Sequence, residues 1–198
     1  MKKKYKQEKL SIREFGNNMK EIIIIGTLHH EFTPKSELEE IMKEINPDKV
    51  LVELSPEELL RSREDSRRDE MFFAYDWAIE NGKQVDVFDI ENDILKEGIT
   101  GKEPDFAKVG SEMGELLKVH SWKDQNNEEV WKTPEYTKLD DYLKEKYFNA
   151  EKVEERDQIM LQNIKDKMIE GKNLILTGTA HLTFFKEQMP DAILPLRK

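Results

Sequence analysis

The chain has 198 residues, enough for one domain with a full core or at most two small ones. Hydrophobic and charged residues each make up 37%, and the formal net charge is -10, which argues against non-specific nucleic-acid binding and for a charged surface with several exposed helices. Cysteine is absent, excluding disulfides and thiolate chemistry, and no apolar run is long enough to cross a bilayer.

In chain order, Met1–Lys9 carries five lysines and reads as the core of a solvated basic tail over residues 1–20. With no apolar signal segment after it, the expected location is cytoplasmic, with no membrane partner. Residues 21–198 read as a single α/β domain. Glu21–Ile25, four isoleucines stopped by Gly26, is a strand buried on both faces, as in a parallel sheet. Pro34 suits the first position of a helix whose stripe is Leu38, Ile41, Met42 and Ile45. Lys49–Leu54 is a second buried strand. Ser55-Pro56-Glu57-Glu58 has the pattern of a capping box, followed by a charged run, Arg61–Glu70, that reads as loop or exposed turn. Met71–Glu80 resumes helix, Gly82 stops it, and Gln84–Ile90 is a third strand.

Asn92–Ala150 contains no convincing strand and reads as a helical insertion, with helices near Phe106–Val119 and Glu135–Phe148. Ala150–Glu170 is a long helix, Asn173–Thr177 a fourth buried strand, Leu182–Gln188 a short helix and Ala192–Leu196 an edge strand able to tolerate Pro195. The fold class is α/β, a mainly parallel sheet flanked by helices, with the insertion capping its carboxyl edge.

One internal echo carries the chemistry. Ile22–Ile25 leads into Gly26-Thr27-Leu28-His29, and Leu174–Thr177 leads into Gly178-Thr179-Ala180-His181. Ligands of open parallel sheets bind outside the carboxyl ends of the strands, and both histidines follow their strands directly. Glu53 and Asp89 end the second and third strands on the same edge. A lone loop histidine is more often exposed than catalytic, and a strand-end carboxylate is often only a cap. The repetition sets His29 and His181 apart from His30 and His120. Two histidines with one carboxylate, His29, His181 and Glu53, make a ligand set for a divalent metal that polarises a carbonyl and activates water. The same groups also work without metal, a histidine serving as general base with its tautomer fixed by a carboxylate. Arg156, in Glu155-Arg156-Asp157, either binds a substrate anion or pairs on a solvated helix face. Spacing alone favours the solvated face. Metal ligation further requires the Ile22–Ile25 and Leu174–Thr177 strands to lie side by side or nearly so.

At these residues the chain resembles the TraB/PrgY/GumN/Tiki superfamily. The matching pieces are Gly26-Thr27-Leu28-His29, Pro47–Leu54 with its Val52-Glu53-Leu54, Ala78–Gly82 before the Val85–Asp89 strand, Glu155–Met160, and Gly178–Leu182. The resemblance implies an α/β fold with a helical insertion and a hydrolase, metal-dependent and peptidase-like, acting on a peptide or small-molecule substrate. Its implied site is His29, Glu53 and His181, as catalytic groups and ligands of a divalent Zn, Mn or Co ion, with Arg156 binding substrate. The pheromone-shutdown branch implies the alternative of a binding protein without turnover.

Overall fold

The computed structural model describes residues 20–29, 32–60, 68–90, 106–147 and 150–196. The basic tail (apart from Lys20), His30, most of the Arg61–Glu70 run and the start of the insertion lie outside the described residues. Four parallel strands form one sheet in the order β1-β4-β2-β3: β1 (Lys20–Thr27), β2 (Lys49–Val52), β3 (Gln84–Val87) and β4 (Gly171–Gly178). Strands β1 and β4, the first and last in sequence, are direct neighbours, with Thr27 opposite Gly178. The two Gly-Thr-x-His turns therefore leave the sheet side by side.

The unbroken aliphatic runs are explained by what covers the two faces. Side chains alternate along a strand. Ile23, Ile25, Val50, Val52, Leu174 and Leu176 meet Leu38 and Met42 of α1 (Lys35–Ile45) and Met71, Ala74, Trp77 and Ala78 of α3 (Asp69–Glu80). Ile24, Leu51 and Ile175 face the other way, onto Met160, Leu161 and Ile164 of α7 (Ala150–Lys167) and Leu182 and Phe185 of α8 (Leu182–Gln188). Along β1, β2 and β4 both faces are covered, so no polar alternation is needed there.

Local signals behave unevenly. Ser55 and Glu58 close a reciprocal capping box at α2 (Pro56–Leu60), Ser55 N–H donating to Glu58 Oε2 at 2.8 Å and Glu58 N–H to Ser55 Oγ at 3.2 Å. Pro34, expected at the first helical turn position, instead sits at the extended N-cap of α1. Thr33 is turned away from the helix: its hydroxyl donates to the Leu28 carbonyl and accepts from the Leu28 N–H, both at 2.8 Å, bracing the turn before His29. The edge strand expected at Ala192–Leu196 shrinks to one residue, Ile193, which exchanges two backbone bonds with β1.

The insertion contributes α4 (Phe106–Val119), a 3-10 turn at Asp124–Asn126, α5 (Glu128–Trp131) and α6 (Pro134–Tyr147). Trp122 is buried in the α1/α3 layer and Trp131 packs against the α7/α8 layer. Between them, buried Asn126 bonds to Gly26 at the carboxyl end of β1. This part of the insertion passes from one layer to the other across that edge of the sheet. Among the described residues no helix is long and apolar enough to cross a membrane.

Gly171 opens β4 at φ 98°, where an added Cβ would stand 2.5 Å from Asp48 Oδ2. That carboxylate accepts the Lys172 N–H at 2.8 Å. Gly171→Ala is expected to lower stability by roughly 1–3 kcal/mol through strain in this backbone region, measured as a reduced urea midpoint with an unchanged m-value.

Candidate active site

Glu53 follows the end of β2, and its own N–H still donates to the Leu176 carbonyl of β4 at 3.0 Å, so the sheet itself aims the residue. The side chain is 1% exposed. Its Oε2 accepts the Thr177 hydroxyl and the Gly178 N–H, both at 2.6 Å, and Oε1 accepts from Arg156 Nη2 at 3.1 Å. The second Gly-Thr-x-His turn is thus pinned by a carboxylate from the neighbouring strand. Burial alone would raise the Glu53 pKa. The surrounding positive groups, His181 first, then Arg68 and Arg156, outweigh it and hold the carboxyl well below its ordinary range.

Arg156 is buried, contrary to the solvated helix face that its spacing suggested. It lies on α7, whose side facing the sheet puts the guanidinium beneath the strand ends. Nε donates to Asp89 Oδ1 at 3.0 Å and Nη2 to Asp89 Oδ2 at 2.6 Å, a bidentate fork, while Nη2 also reaches Glu53. A second arginine, Arg68, donates to Asp89 Oδ2 and to the Glu53 carbonyl, both at 2.9 Å. Asp89 and Glu53 therefore share two guanidinium ions. Burial works against the charge of both arginines, but the two carboxylates dominate and raise both pKa values.

His181 completes this network. Its Nε2 lies 3.2 Å from Arg156 Nη1 and 3.5 Å from Glu53 Oε1, and its Nδ1 lies 2.6 Å from Asp157 Oδ1. That last contact is close but off the line of a ring N–H, so neither atom has an aligned hydrogen-bond partner. Burial opposes protonation of the ring, but Glu53 and Asp157 outweigh it and raise the pKa above the ordinary histidine value.

His29 approaches from β1. Its Nδ1 is 2.8 Å from Oε1 of Glu70, a fully buried carboxylate in the first turn of α3 that also accepts the Thr27 hydroxyl at 3.1 Å. In the neutral ring, Glu70 thereby selects the Nδ1–H tautomer, which has Nε2 as its acceptor. The ring is 35% exposed, far more than His181. A Cβ on Gly178 would lie 3.4 Å from His29 Nε2 and 3.6 Å from Glu53 Oε2. These are ordinary van der Waals distances, and they show how closely the histidine of the first motif stands to the second turn beside the carboxylate. Gly26 is the tighter position, since a Cβ there would meet Leu182 Cδ1, just past the second motif, at 2.4 Å. The glycine of the first motif makes room for the residues around the second.

The four sequence-predicted residues, His29, Glu53, Arg156 and His181, thus gather at one edge, but they do not assemble the expected metal site. Metal ligands need lone pairs converging on a space large enough for the ion. Here the Arg156 guanidinium stands beside both Glu53 Oε1 and His181 Nε2, and Glu53 Oε2 already accepts two hydrogen bonds. Among the described residues no group of three or more histidine and acidic side chains is placed to hold an ion. Sequence reading missed Glu70, Arg68 and Asp157. The first two lie in the charged run read as loop or turn, and Asp157 passed as a neighbour of Arg156. His120 caps the end of α4 through its backbone, as an ordinary helix terminus. Comparison of the chain with protein-family models, curated proteins and solved structures finds no match.

Two outcomes follow from the buried charges. Arg156→Ala strips Asp89 and Glu53 of one of their two shared guanidinium ions and is expected to cost roughly 3–5 kcal/mol in urea denaturation; adding Asp89→Asn recovers part of the loss. The second concerns pH. Glu53, with its pKa lowered on folding, stabilises above the unfolded carboxylate value and loses that contribution as pH falls through its folded value. His181, raised on folding, contributes fully below about pH 6.5 and loses that contribution as pH rises through its folded value. Urea midpoints across pH are expected to peak on the acid side of neutrality, with the alkaline decline flattened in His181→Gln.

Proposed function

We propose that the chain is a hydrolase of the TraB/Tiki type that cleaves an acyl bond, a peptide bond first among candidates, with His29 as general base. The observation that carries this reading is the His29–Glu70 pair. A buried carboxylate orients the ring through Nδ1, Nε2 remains an acceptor, and the ring is open to solvent beside the buried Glu53 network. The repeated Gly-Thr-x-His turns and the Val52-Glu53-Leu54 and Glu155-Arg156-Asp157 segments, which resemble that superfamily, support the same assignment.

In the proposed reaction His29 Nε2 takes a proton from water as the hydroxide adds to the carbonyl carbon. Negative charge gathers on the carbonyl oxygen near the positive side of the network, where Arg156 lies. As the tetrahedral centre collapses, the bond to the amine breaks, and the departing nitrogen receives from His29 Nε2 the proton taken from water. Glu53 and Asp89 hold Arg156 in place. No step passes through a metal, because Glu53 and His181, two of the three ligands expected to bind one, are engaged by Arg156 and by the β4 turn.

The test is a mixed peptide library incubated with tag-free protein and read by mass spectrometry, with His29→Ala and Glu70→Gln as controls. Cleavage by the wild type, unaffected by a chelator and lowered at least about 100-fold in His29→Ala, is the expected result, since a positioned base contributes about 10²–10⁴-fold. Retention of peptide without any product would instead identify a binding protein, and full activity in His29→Ala would remove His29 from the mechanism.

A further inference from the structure

The insertion places one side chain, Asn126, directly on the first Gly-Thr-x-His turn. Asn126 is fully buried. Its Oδ1 accepts the Gly26 N–H at 2.7 Å, its Nδ2 donates to the Gly26 carbonyl at 3.0 Å, and Nδ2 also lies 3.4 Å from the Trp122 carbonyl within the insertion. The carboxamide thus does for Gly26 what a neighbouring strand would do. Upstream, the outer edge of β1 is closed by Ile193, which accepts from Ile24 N–H at 2.9 Å and donates to the Ile22 carbonyl at 2.8 Å. Asn126 extends that closure by one step, to the residue where the chain leaves the sheet.

Every residue from there to His29 is then braced by a partner distant in space or sequence. Gly26 is held by Asn126, Thr27 by Glu70, Leu28 by Thr33 and His29 by Glu70 again. Of these braces, only Asn126 comes from the insertion. The other side of Gly26 is blocked by Thr179 of the second turn and by Leu182 at the start of α8, so the glycine is seated between these residues and the insertion. A neutral carboxamide suits this place because Gly26 offers both a donor and an acceptor. A carboxylate would meet the carbonyl with a second acceptor.

We infer that Asn126 is a positioning residue: by pairing both backbone groups of Gly26, the insertion sets where His29 Nε2 stands over Gly178. The inference gives the insertion a part in the active site and rests on the reading of His29 as the base. Without that pairing the end of β1 has one open edge, and the His29–Glu70 bond and the approach to Gly178 loosen together. A role confined to stability would weaken the fold as a whole while leaving the geometry of His29 in the folded molecules unchanged.

The test is nuclear magnetic resonance on the full chain. Histidine ring ¹⁵N shifts give the tautomer of His29, and amide hydrogen exchange is followed at Gly26 and Leu28 against Ile175 of the central sheet. In the wild type, slow exchange at Gly26 and the Nδ1–H tautomer at His29 are expected. In Asn126→Ala, exchange at Gly26 should rise about tenfold relative to Ile175, the scale of one lost hydrogen bond, and His29 should become a mixture of tautomers. Asn126→Ser, which keeps a donor and acceptor on a shorter arm, supplies the same readings if the alanine variant does not fold. A fast-exchanging Gly26 in the wild type, or His29 shifts identical in wild type and a folded variant, would overturn the inference. The peptide assay separates the two readings. Altered His29 in the variant of a wild type that cleaves nothing rejects the hydrolase and retains Asn126 as the residue that sets His29. Cleavage with unaltered His29 does the reverse.

Discussion

The buried carboxylate of Glu53 is the interaction on which the arrangement of this protein turns. A carboxylate taken out of water is unfavourable by several kcal/mol unless its oxygens are met by donors and positive charge. Glu53 obtains them from the Thr177 hydroxyl, the Gly178 amide and Arg156, which belong to the neighbouring strand and to a helix on the sheet's far face. The donors are useful only if β4 lies against β2 and α7 lies beneath the strand ends. Satisfying one charge therefore specifies the relative position of three elements. The same demand passes outward to Asp89, Arg68 and His181, so the network settles as a unit.

The strand order explains why the network lies where it does. Inserting β4 between β1 and β2 brings the last strand of the chain into the middle of the sheet. Its carboxyl end then has Gly26 and His29 on one side and Glu53 on the other. Parallel strands share one carboxyl edge, and the two turns leave it one strand spacing apart. Glycine at the first turn follows from that closeness, since a Cβ on Gly26 would press into Leu182 and Thr179. The two histidines are nonetheless in different settings. His29 meets solvent and is held by a carboxylate on α3, whereas His181 is enclosed and meets a carboxylate and a guanidinium from α7. A repeated motif has become an asymmetric pair.

Much of this was legible in the sequence. The aliphatic runs at Ile22–Ile25, Val50–Val52 and Leu174–Leu176 announce strands covered on both faces, because side chains of both parities are apolar and both must be buried. The echo of Gly26–His29 in Gly178–His181 correctly implies one shared edge, while the adjacency of β1 and β4 was expected only as a requirement of metal ligation. Ser55 and Glu58 are read correctly because a capping box is local, complete within four residues. Pro34 is read less well, one position out, because the preceding Thr33 bonds back to Leu28 instead of capping the helix, a pairing that local spacing does not reveal.

The tertiary structure alone decided which charges were paired, and with what consequence. Arg156 has charged residues on either side and gives every local sign of a solvated helix face, yet Asp89 and Glu53, 67 and 103 residues away, hold it inside. Glu70 looks like the end of a charged surface run, yet α3 turns it inward to His29. Asn126 has no distinguishing neighbours at all. Local pattern reports whether a segment is strand or helix because those states are set by neighbouring residues and by burial of one face. It does not report the partner of a buried polar group, because that partner is chosen by distance in space after the chain has folded. The sequence by itself determined the parallel sheet, its two covered faces and the edge on which the candidate site lies; folding put a guanidinium beside two of the residues expected to bind a metal ion.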